Sequence, residues 1–369
     1  MKIVFVIVAF AISFFLALIS IPPIIKVSNA KSLFALSGGR NVHTRAIPTL
    51  GGIAIFIGFM ISTLIVADLS FLSEVKLLLV AVIMMFFIGL KDDILIMAAW
   101  KKLVVQVLAA LLLIVLADIR FTSLHGILGI GKLNYVFSLG ITLFIIIVII
   151  NAFNLIDGID GLASGIAIQA STVLGIWFLI SGHLNYSILS FALAGSLCAF
   201  FLYNVFGHKN KIFLGDTGAL ITGVIISVLI IKINEYNILH VGQFTSRVSP
   251  AISFAIIIAP LIDTLRVFTI RIIQKKSPFS PDKNHIHHHL LKLYNNHHLK
   301  ATITIVLINS LFTAFAFWLA YIGVEINILF LTIFVLGIYI AYIPMLLNRS
   351  NAGYRLGPSL IKTLKGIIL

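Results

Sequence analysis

Five short polar segments interrupt an otherwise apolar chain, and each carries residues able to do chemistry. Gly89-Leu90-Lys91-Asp92-Asp93 sets two adjacent carboxylates at the end of an apolar run. Adjacent carboxylates repel, and a cation between them relieves the cost; a solvated helix end is the competing reading. Asn151, Asn154, Asp157 and Asp160 recur at every third position, with Gly158 and Gly161 beside the acids. A helical stretch would turn much of this set to one side, and the glycines let the backbone approach a ligand. The twelve-residue loop of an EF-hand, with its final Glu, is missing, which leaves a plain structural turn as the alternative. Lys211, Phe213, Gly215, Asp216 and Gly218 form a third group. A carboxylate flanked by glycines at a helix start suits a hard cation or a cap, and Phe213 and Lys211 suit a base and a phosphate. Asp282, His285, His287, His288 and His289 follow in the longest polar stretch, and six of the eleven histidines fall between 285 and 298. Zinc is one reading, without cysteine or a protease-type helix pattern to support it. Hydrogen bonding to phosphate oxygens is another, and a solvated basic loop a third. Arg40, His43 and Arg45 precede Pro48, Gly51 and Gly52. Arginine forks suit phosphates, although a topology-setting loop has the same look. Taken together, carboxylates and cationic donors describe a site for a divalent metal and a phosphorylated substrate.

The elements that must position these segments are membrane spans. Of 369 residues, 60% are hydrophobic and 10% charged. An ordinary soluble domain is about half apolar and a quarter charged, so a soluble single core, a disordered chain and a disulfide-stapled domain are excluded. A span uses about 20 apolar residues. Apolar runs fall near 3–24, 48–67, 77–91, 103–118, 136–153, 162–181, 186–206, 217–233, 250–270, 301–322 and 327–347. The expected fold is all-α and integral to the membrane, a single polytopic domain over 1–369 with about eleven transmembrane helices. The first run is too long for a signal core and lacks a cleavage site, so it reads as a retained span ending at Pro22-Pro23. Cys198 reads as a packing residue.

Orientation follows from charge. With the N-terminus outside and the C-terminus cytoplasmic, 20 of the 26 Lys and Arg fall on the inner side, counting Arg266. Only Lys2, Lys76, Arg120, Lys132, Lys232 and Arg247 fall outside, as the positive-inside rule requires. The net charge of +14 is then a topology signal, and no nucleic-acid face is expected. The inner loops 25–47, 91–102, 154–161, 207–216 and 271–300 are expected to form the active site. The acids Asp68, Glu74, Asp118, Glu235 and Glu325 fall outside and are expected to be solvated. Asp263 sits within the ninth run with Arg266 one turn on, as an ion-pair partner. A cation-coupled transporter remains the alternative of another class, with Asp263 as its intramembrane acid; a catalytically dead scaffold is a third.

The five segments, in this order and spanning 40–289, resemble the polyprenyl-phosphate N-acetylhexosamine-1-phosphate transferases. Pro260-Leu261-Ile262-Asp263-Thr264 and Arg271 also resemble that family's ninth span. The resemblance implies that a polyprenyl phosphate attacks the sugar-side phosphorus of a UDP-N-acetylhexosamine, most simply the N-acetylglucosamine donor, and that UMP leaves. It implies undecaprenyl phosphate of the inner leaflet as acceptor, Mg²⁺ as cofactor with Mn²⁺ as a substitute, a bacterial cytoplasmic-membrane location with the site facing the cytoplasm, and initiation of a cell-envelope glycan. A homodimer stays open. By this resemblance Asp216 binds magnesium, and Asp92 and Asp93 serve the metal or the lipid phosphate, Asp93 standing as the second metal residue. Asp157, Asp160 and Asn154 line the nucleotide and diphosphate. Asn204 and Phe213 contact uridine, and His285, His287 and His288 cover the phosphates and sugar. Arg45, Lys211 and Asp282 are assigned to the substrate. Ile96 stands where many members carry a third Asp, Ala219 where Ser is common, and His289 where several N-acetylglucosamine enzymes carry Arg. The muramoyl-pentapeptide branch is the runner-up; Leu290-Leu291 lean away from its acid after the histidines.

Overall fold

A computed structural model of the chain describes residues 2–33, 47–68, 73–95, 97–239, 249–275 and 284–351. Among them are thirteen α-helices and no strand, only an isolated antiparallel bridge between Ser123 and Lys132. In order, the helices are α1 (Lys2–Ala30), α2 (Gly51–Val66), α3 (Ser73–Ile94), α4 (Ala99–Leu111), α5 (Tyr135–Ile156), α6 (Leu162–Ile180), α7 (Leu184–Phe206), α8 (Gly215–Leu239), α9 (Ser249–Ile256), α10 (Ile258–Ile273), α11 (Ile286–Leu293), α12 (His298–Tyr321) and α13 (Ile326–Asn351). A π-helical stretch, Leu112–Leu116, extends α4. Apolar sequence of this kind satisfies its backbone inside the helix, which is what a bilayer demands.

Eight helices are long and apolar enough to cross a membrane, or nine if the bent pair α9–α10 is one crossing. The expected eleven are not reached on this measure. Helix α2 has 16 residues, and α3 carries Glu74 and Lys76 near one end and Lys91, Asp92 and Asp93 at the other. The first span also runs on through Pro22 and Pro23 to Ala30 rather than ending at the prolines. Burial of Ile21, Ile25 and Ser28 holds its last turns, and Ser28 Oγ bonds back to the Ile24 carbonyl at 2.8 Å.

Helix α8 is the axis of the bundle. Its apolar residues point in every direction and nearly all are buried, the pattern of an interior helix. Helices α2 and α3 press their backbones onto its first turn. A Cβ on Gly52 would lie 2.2 Å from the Gly218 nitrogen, and one on Gly89 2.5 Å from Thr217 Cα. Small residues permit such approaches in membrane bundles.

The ninth apolar run is not one straight helix. It breaks at Ile257, where α9 and α10 meet at 79°. Asn309 of α12 closes the break: its Oδ1 accepts the Ala259 N–H at 3.0 Å, and its Nδ2 donates to the Ile256 carbonyl at 2.7 Å and to Gln169 Oε1 at 2.6 Å. The expected loop after this run also contains the short helix α11.

Of the acids expected to be solvated on the outer side, Asp68, Asp118 and Glu325 are exposed, whereas Glu74 and Glu235 are half-buried. Glu74 pairs with Lys232 at 2.7 Å and accepts the Tyr186 hydroxyl at 2.5 Å. Glu235 accepts the Thr122 N–H and hydroxyl at 2.8 and 2.7 Å. Glu325 accepts the Asn327 and Ile328 N–H groups at the start of α13, and Asp118 pairs with Arg120 at 2.6 Å. A carboxylate beside lipid is too costly to leave unpartnered.

Asn309→Leu would strip two backbone groups of their partner inside the bundle. The expected result is a loss of about 1–3 kcal/mol per orphaned group, read as a lower thermal midpoint in detergent. An unchanged midpoint would mean that the break does not depend on Asn309.

Candidate active site

Five helix ends meet where α8 begins. Asp216 stands in the first turn of α8. Asn154, in the last turn of α5, donates to its Oδ1 at 2.5 Å. Lys102, in the first turns of α4, donates to its Oδ2 at 2.9 Å and to Asp92 Oδ2, at the end of α3, also at 2.9 Å. Asp92 Oδ1 accepts the Met97 N–H at 2.7 Å. One ammonium therefore bridges two carboxylates from different helices.

Asp93 faces the start of α8. Its Oδ1 accepts the Asp216 N–H at 2.8 Å, and its Oδ2 accepts the Thr217 N–H at 3.0 Å and the Thr217 hydroxyl at 2.5 Å. A helix start leaves N–H groups without partners and carries partial positive charge. Asp93 caps α8 from a neighbouring helix and so fixes the backbone of Asp216. Of the Asp92–Asp93 pair, Asp92 is the one that shares a cation with Asp216.

The loop after α5 supplies the next two acids. The helix stops at Ile156, so the four expected residues do not share one helical face. Asn151 turns to α4, where its Nδ2 donates to Gln106 Oε1 at 2.9 Å. Asp160 pairs with Lys211 at 2.6 Å and with His298 Nδ1 at 3.0 Å. Burial alone would raise its carboxyl, but the bonds from His298 and Lys211 outweigh it and hold it below the usual range. Asp157 has no hydrogen bond or ion pair among the described residues. Burial, reinforced by the charges of Asp216, Asp93 and Asp160, pushes its carboxyl up to about 8.

Lys211 also stands 5.7 Å from the centre of the half-buried Phe213 ring. The strip carrying them is pinned to the entry of α2: Phe213 N–H donates to the Pro48 carbonyl at 2.8 Å, and Gly51 N–H donates to the Phe213 carbonyl at 2.9 Å. Asn204, expected to contact a ligand, is buried and braces the loops. Its Oδ1 accepts the Gly161 N–H at 2.6 Å, and its Nδ2 donates to the Ile212 carbonyl at 2.9 Å.

The histidines close the site from α11. His287 is buried, and a Cβ on Gly158 would fall 2.1 Å from its Nε2, so only glycine admits it between Asp157 and Asp160. Burial lowers the His287 imidazole to about 3, against the pull of Asp263, so it is neutral. His288 packs beside it with ring centres 4.3 Å apart, and His285 is parallel to it at 5.5 Å. Arg45, Asp282 and Ile96 lie outside the described residues.

Two residues of this site were not singled out in the sequence. Lys102 sat in a segment whose cations read as topology; its four-residue spacing to the buried Gln106 was the only local sign. His298 opens α12 and lay at the far end of the histidine-rich stretch.

The donor set suits a hard cation only in part. Two carboxylates that already share one cation could hold a magnesium-like ion that keeps water and phosphate oxygens in its other positions. Among the described residues no group of three His, Cys, Asp or Glu converges closely enough to cage a metal alone. The residues therefore fit an ion bound jointly with a phosphorylated ligand.

The chain is similar to known proteins. The family model described as glycosyl transferase family 4 matches residues 75–234, which include Asp92, Asp93, Asn154, Asp157, Asp160, Lys211 and Asp216. A Bacillus subtilis protein named a probable undecaprenyl-phosphate N-acetylglucosaminyl 1-phosphate transferase is 29% identical over 352 residues, 94% of each chain. Proteins of Salmonella typhi and Yersinia pestis, both named undecaprenyl-phosphate alpha-N-acetylglucosaminyl 1-phosphate transferase, are 30% identical over 258 residues and 29% over 260. The first covers 69% of this chain and 67% of the relative, the second 69% and 68%.

The raised Asp157 carboxyl predicts a pH effect. A carboxyl higher in the folded than in the unfolded state gives stability that is full below its unfolded value and lost as pH rises through about 8. Asp157→Asn should therefore raise the thermal midpoint of the metal-free protein more at pH 8 than at pH 5. An equal effect at both values would show that Asp157 is compensated.

Proposed function

The chain belongs to glycosyl transferase family 4, and from that premise we propose that it transfers N-acetylglucosamine-1-phosphate from a UDP-sugar to undecaprenyl phosphate. The lipid phosphate oxygen attacks the sugar-side phosphorus, the bond from that phosphorus to the bridging oxygen breaks, and UMP leaves carrying that oxygen. The product starts assembly of a cell-envelope glycan.

The observation that carries this reading is the convergence of Asp92, Asp157, Asp160 and Asp216 with Lys102, Lys211 and His287 at one end of an apolar bundle. A dianionic acceptor must approach a charged diphosphate, so a site for this reaction needs cations held by carboxylates, along with donors placed for the phosphates. Asp216 and Asp92 are the residues that would hold Mg²⁺, or Mn²⁺ in its place. The ion, when bound, offsets phosphate charge and polarises the P–O bonds. Asp93 and Asn154 keep the Asp216 carboxylate in place. Asp160 holds the Lys211 ammonium beside the half-buried Phe213 ring, which suits stacking on uracil. Neutral His287 donates or accepts a hydrogen bond at the diphosphate without adding charge.

The setting proposed is the bacterial cytoplasmic membrane. Adding α2, α3 and the bent pair to the eight apolar helices makes eleven crossings. The N-terminus is then outside and the site cytoplasmic, and the prenyl chain lies between helices. The buried acid that a transporter would use, Asp263, is tied to Arg266 at 3.1 Å, which leaves the transferase favoured.

Purified protein incubated with undecaprenyl phosphate and a panel of UDP-sugars should release UMP and form lipid product from the N-acetylglucosamine donor, and should stop when EDTA is added. Turnover only with the muramoyl-pentapeptide donor, or with none, would overturn the reading. In the same assay Lys102→Met should lower kcat about 100-fold, the scale of losing one charge-stabilising donor; a wild-type rate would remove Lys102 from the site.

A further inference from the structure

Helix α11, which carries the histidines, starts without a cap of its own. His285 occupies the N-cap position and makes no side-chain bond to the helix. The cap comes from α10. Asp263 Oδ1 accepts the Ile286 N–H at 2.9 Å and Arg266 Nη2 at 3.1 Å, and its Oδ2 meets His285 Nδ1 at 2.9 Å. Arg266 also donates to the Asn284 carbonyl. Both side chains are buried, at 2% and 4% exposure. A buried Asp–Arg pair one turn apart on a single helix thus grips residues 284–286 of another segment.

The chemistry of the grip sets the His285 ring. A carboxylate that already takes N–H bonds from Arg266 and Ile286 is an acceptor only, so His285 Nδ1 donates to it. The ring lies within 10° of parallel to His287 at 5.5 Å, and His287 Nε2 abuts Gly158 between two site acids. Orientation therefore runs from Asp263 through His285 to His287 and the acid loop.

We propose that Asp263 is the positioning residue of the histidine segment: it holds His285 with a proton on Nδ1 and thereby seats His287 against the Gly158 loop. The activity arm of its test rests on the transferase reading; the spectroscopic arm does not.

Asp263→Asn keeps the size and one acceptor for Ile286, but places an amide where His285 needs an acceptor. In a UMP-release assay kcat should fall about 10–100-fold, the usual scale for loss of a supporting hydrogen bond, with KM for the UDP-sugar changed less. His285→Ala should lower kcat comparably, and adding Asp263→Asn to it should cost less than about twofold more, because the two act as one unit. A purely structural role predicts instead the same loss in both backgrounds, and that outcome overturns the proposal. Asp263→Glu, which keeps the carboxylate, should retain most of kcat and replaces Asp263→Asn if that variant does not fold. Independently of turnover, ¹⁵N-histidine spectra, with His285 assigned by its loss in His285→Ala, should show a protonated Nδ1 in the wild type and in Asp263→Glu. In Asp263→Asn the proton should move to Nε2. Wild-type His285 with an unprotonated Nδ1, or ring nitrogens unchanged in Asp263→Asn, would also overturn it. If the wild type releases no UMP from any donor, the transferase reading fails while the nitrogen spectra still decide the role of Asp263.

Discussion

Carboxylates gathered at the end of an apolar bundle repel one another, and much of this protein is organised around keeping them together. Each is handled differently. Asp93 is spent on the N-terminus of α8, where backbone N–H groups and the helix dipole favour negative charge. Asp92 and Asp216 share the ammonium of Lys102. Asp160 is divided between Lys211 and His298. Asp157 has no ion pair among the described residues, and burial with the neighbouring acids raises its carboxyl. The proposed binding of a cation and a diphosphate rests on this arrangement, in which one acid has no ion pair among the described residues and two are bridged by a lysine ammonium.

The same device appears twice. Helix α8 presents Asp216 and is capped by Asp93 of α3; helix α11 presents His287 and is capped by Asp263 of α10. In each case the helix start that carries the site residue is held by an acid from a different helix, so it cannot shift without breaking that bond. Caps in trans tie the site to the bundle more firmly than local caps would, because they link elements far apart in sequence.

The break between α9 and α10 belongs to the same logic. An interrupted helix inside a membrane needs partners for its freed backbone groups. Asn309 provides them, with Gln169 behind it. The 79° bend sets the direction of α10, and α10 carries Asp263. A polar bracket in the bundle thus bears on the placement of the histidines.

The sequence by itself determined the class of the protein and pointed to the polar segments, four of which meet at the end of the bundle among the described residues. Helical, membrane-spanning character follows from apolar runs whose length and low charge admit little else, and acids so scarce beside lipid mark where function lies. Asp92, Asp157, Asp160 and Asp216 were legible for that reason, and His287 by the clustering of histidines around it. Only the tertiary structure decided which acid does what. The division of labour between Asp92 and Asp93 depends on which way each carboxylate faces across the α3–α8 contact, and adjacent residues on one helix carry no mark of that. Lys102, His298 and the grip of Asp263 on His285 were hidden because their partners lie 114, 138 and 22 residues away. The bend at Ile257 was equally silent, since its cause, Asn309, sits on another helix. Local pattern reports burial and helix period, whereas hydrogen bonds between distant helices depend on how the helices pack.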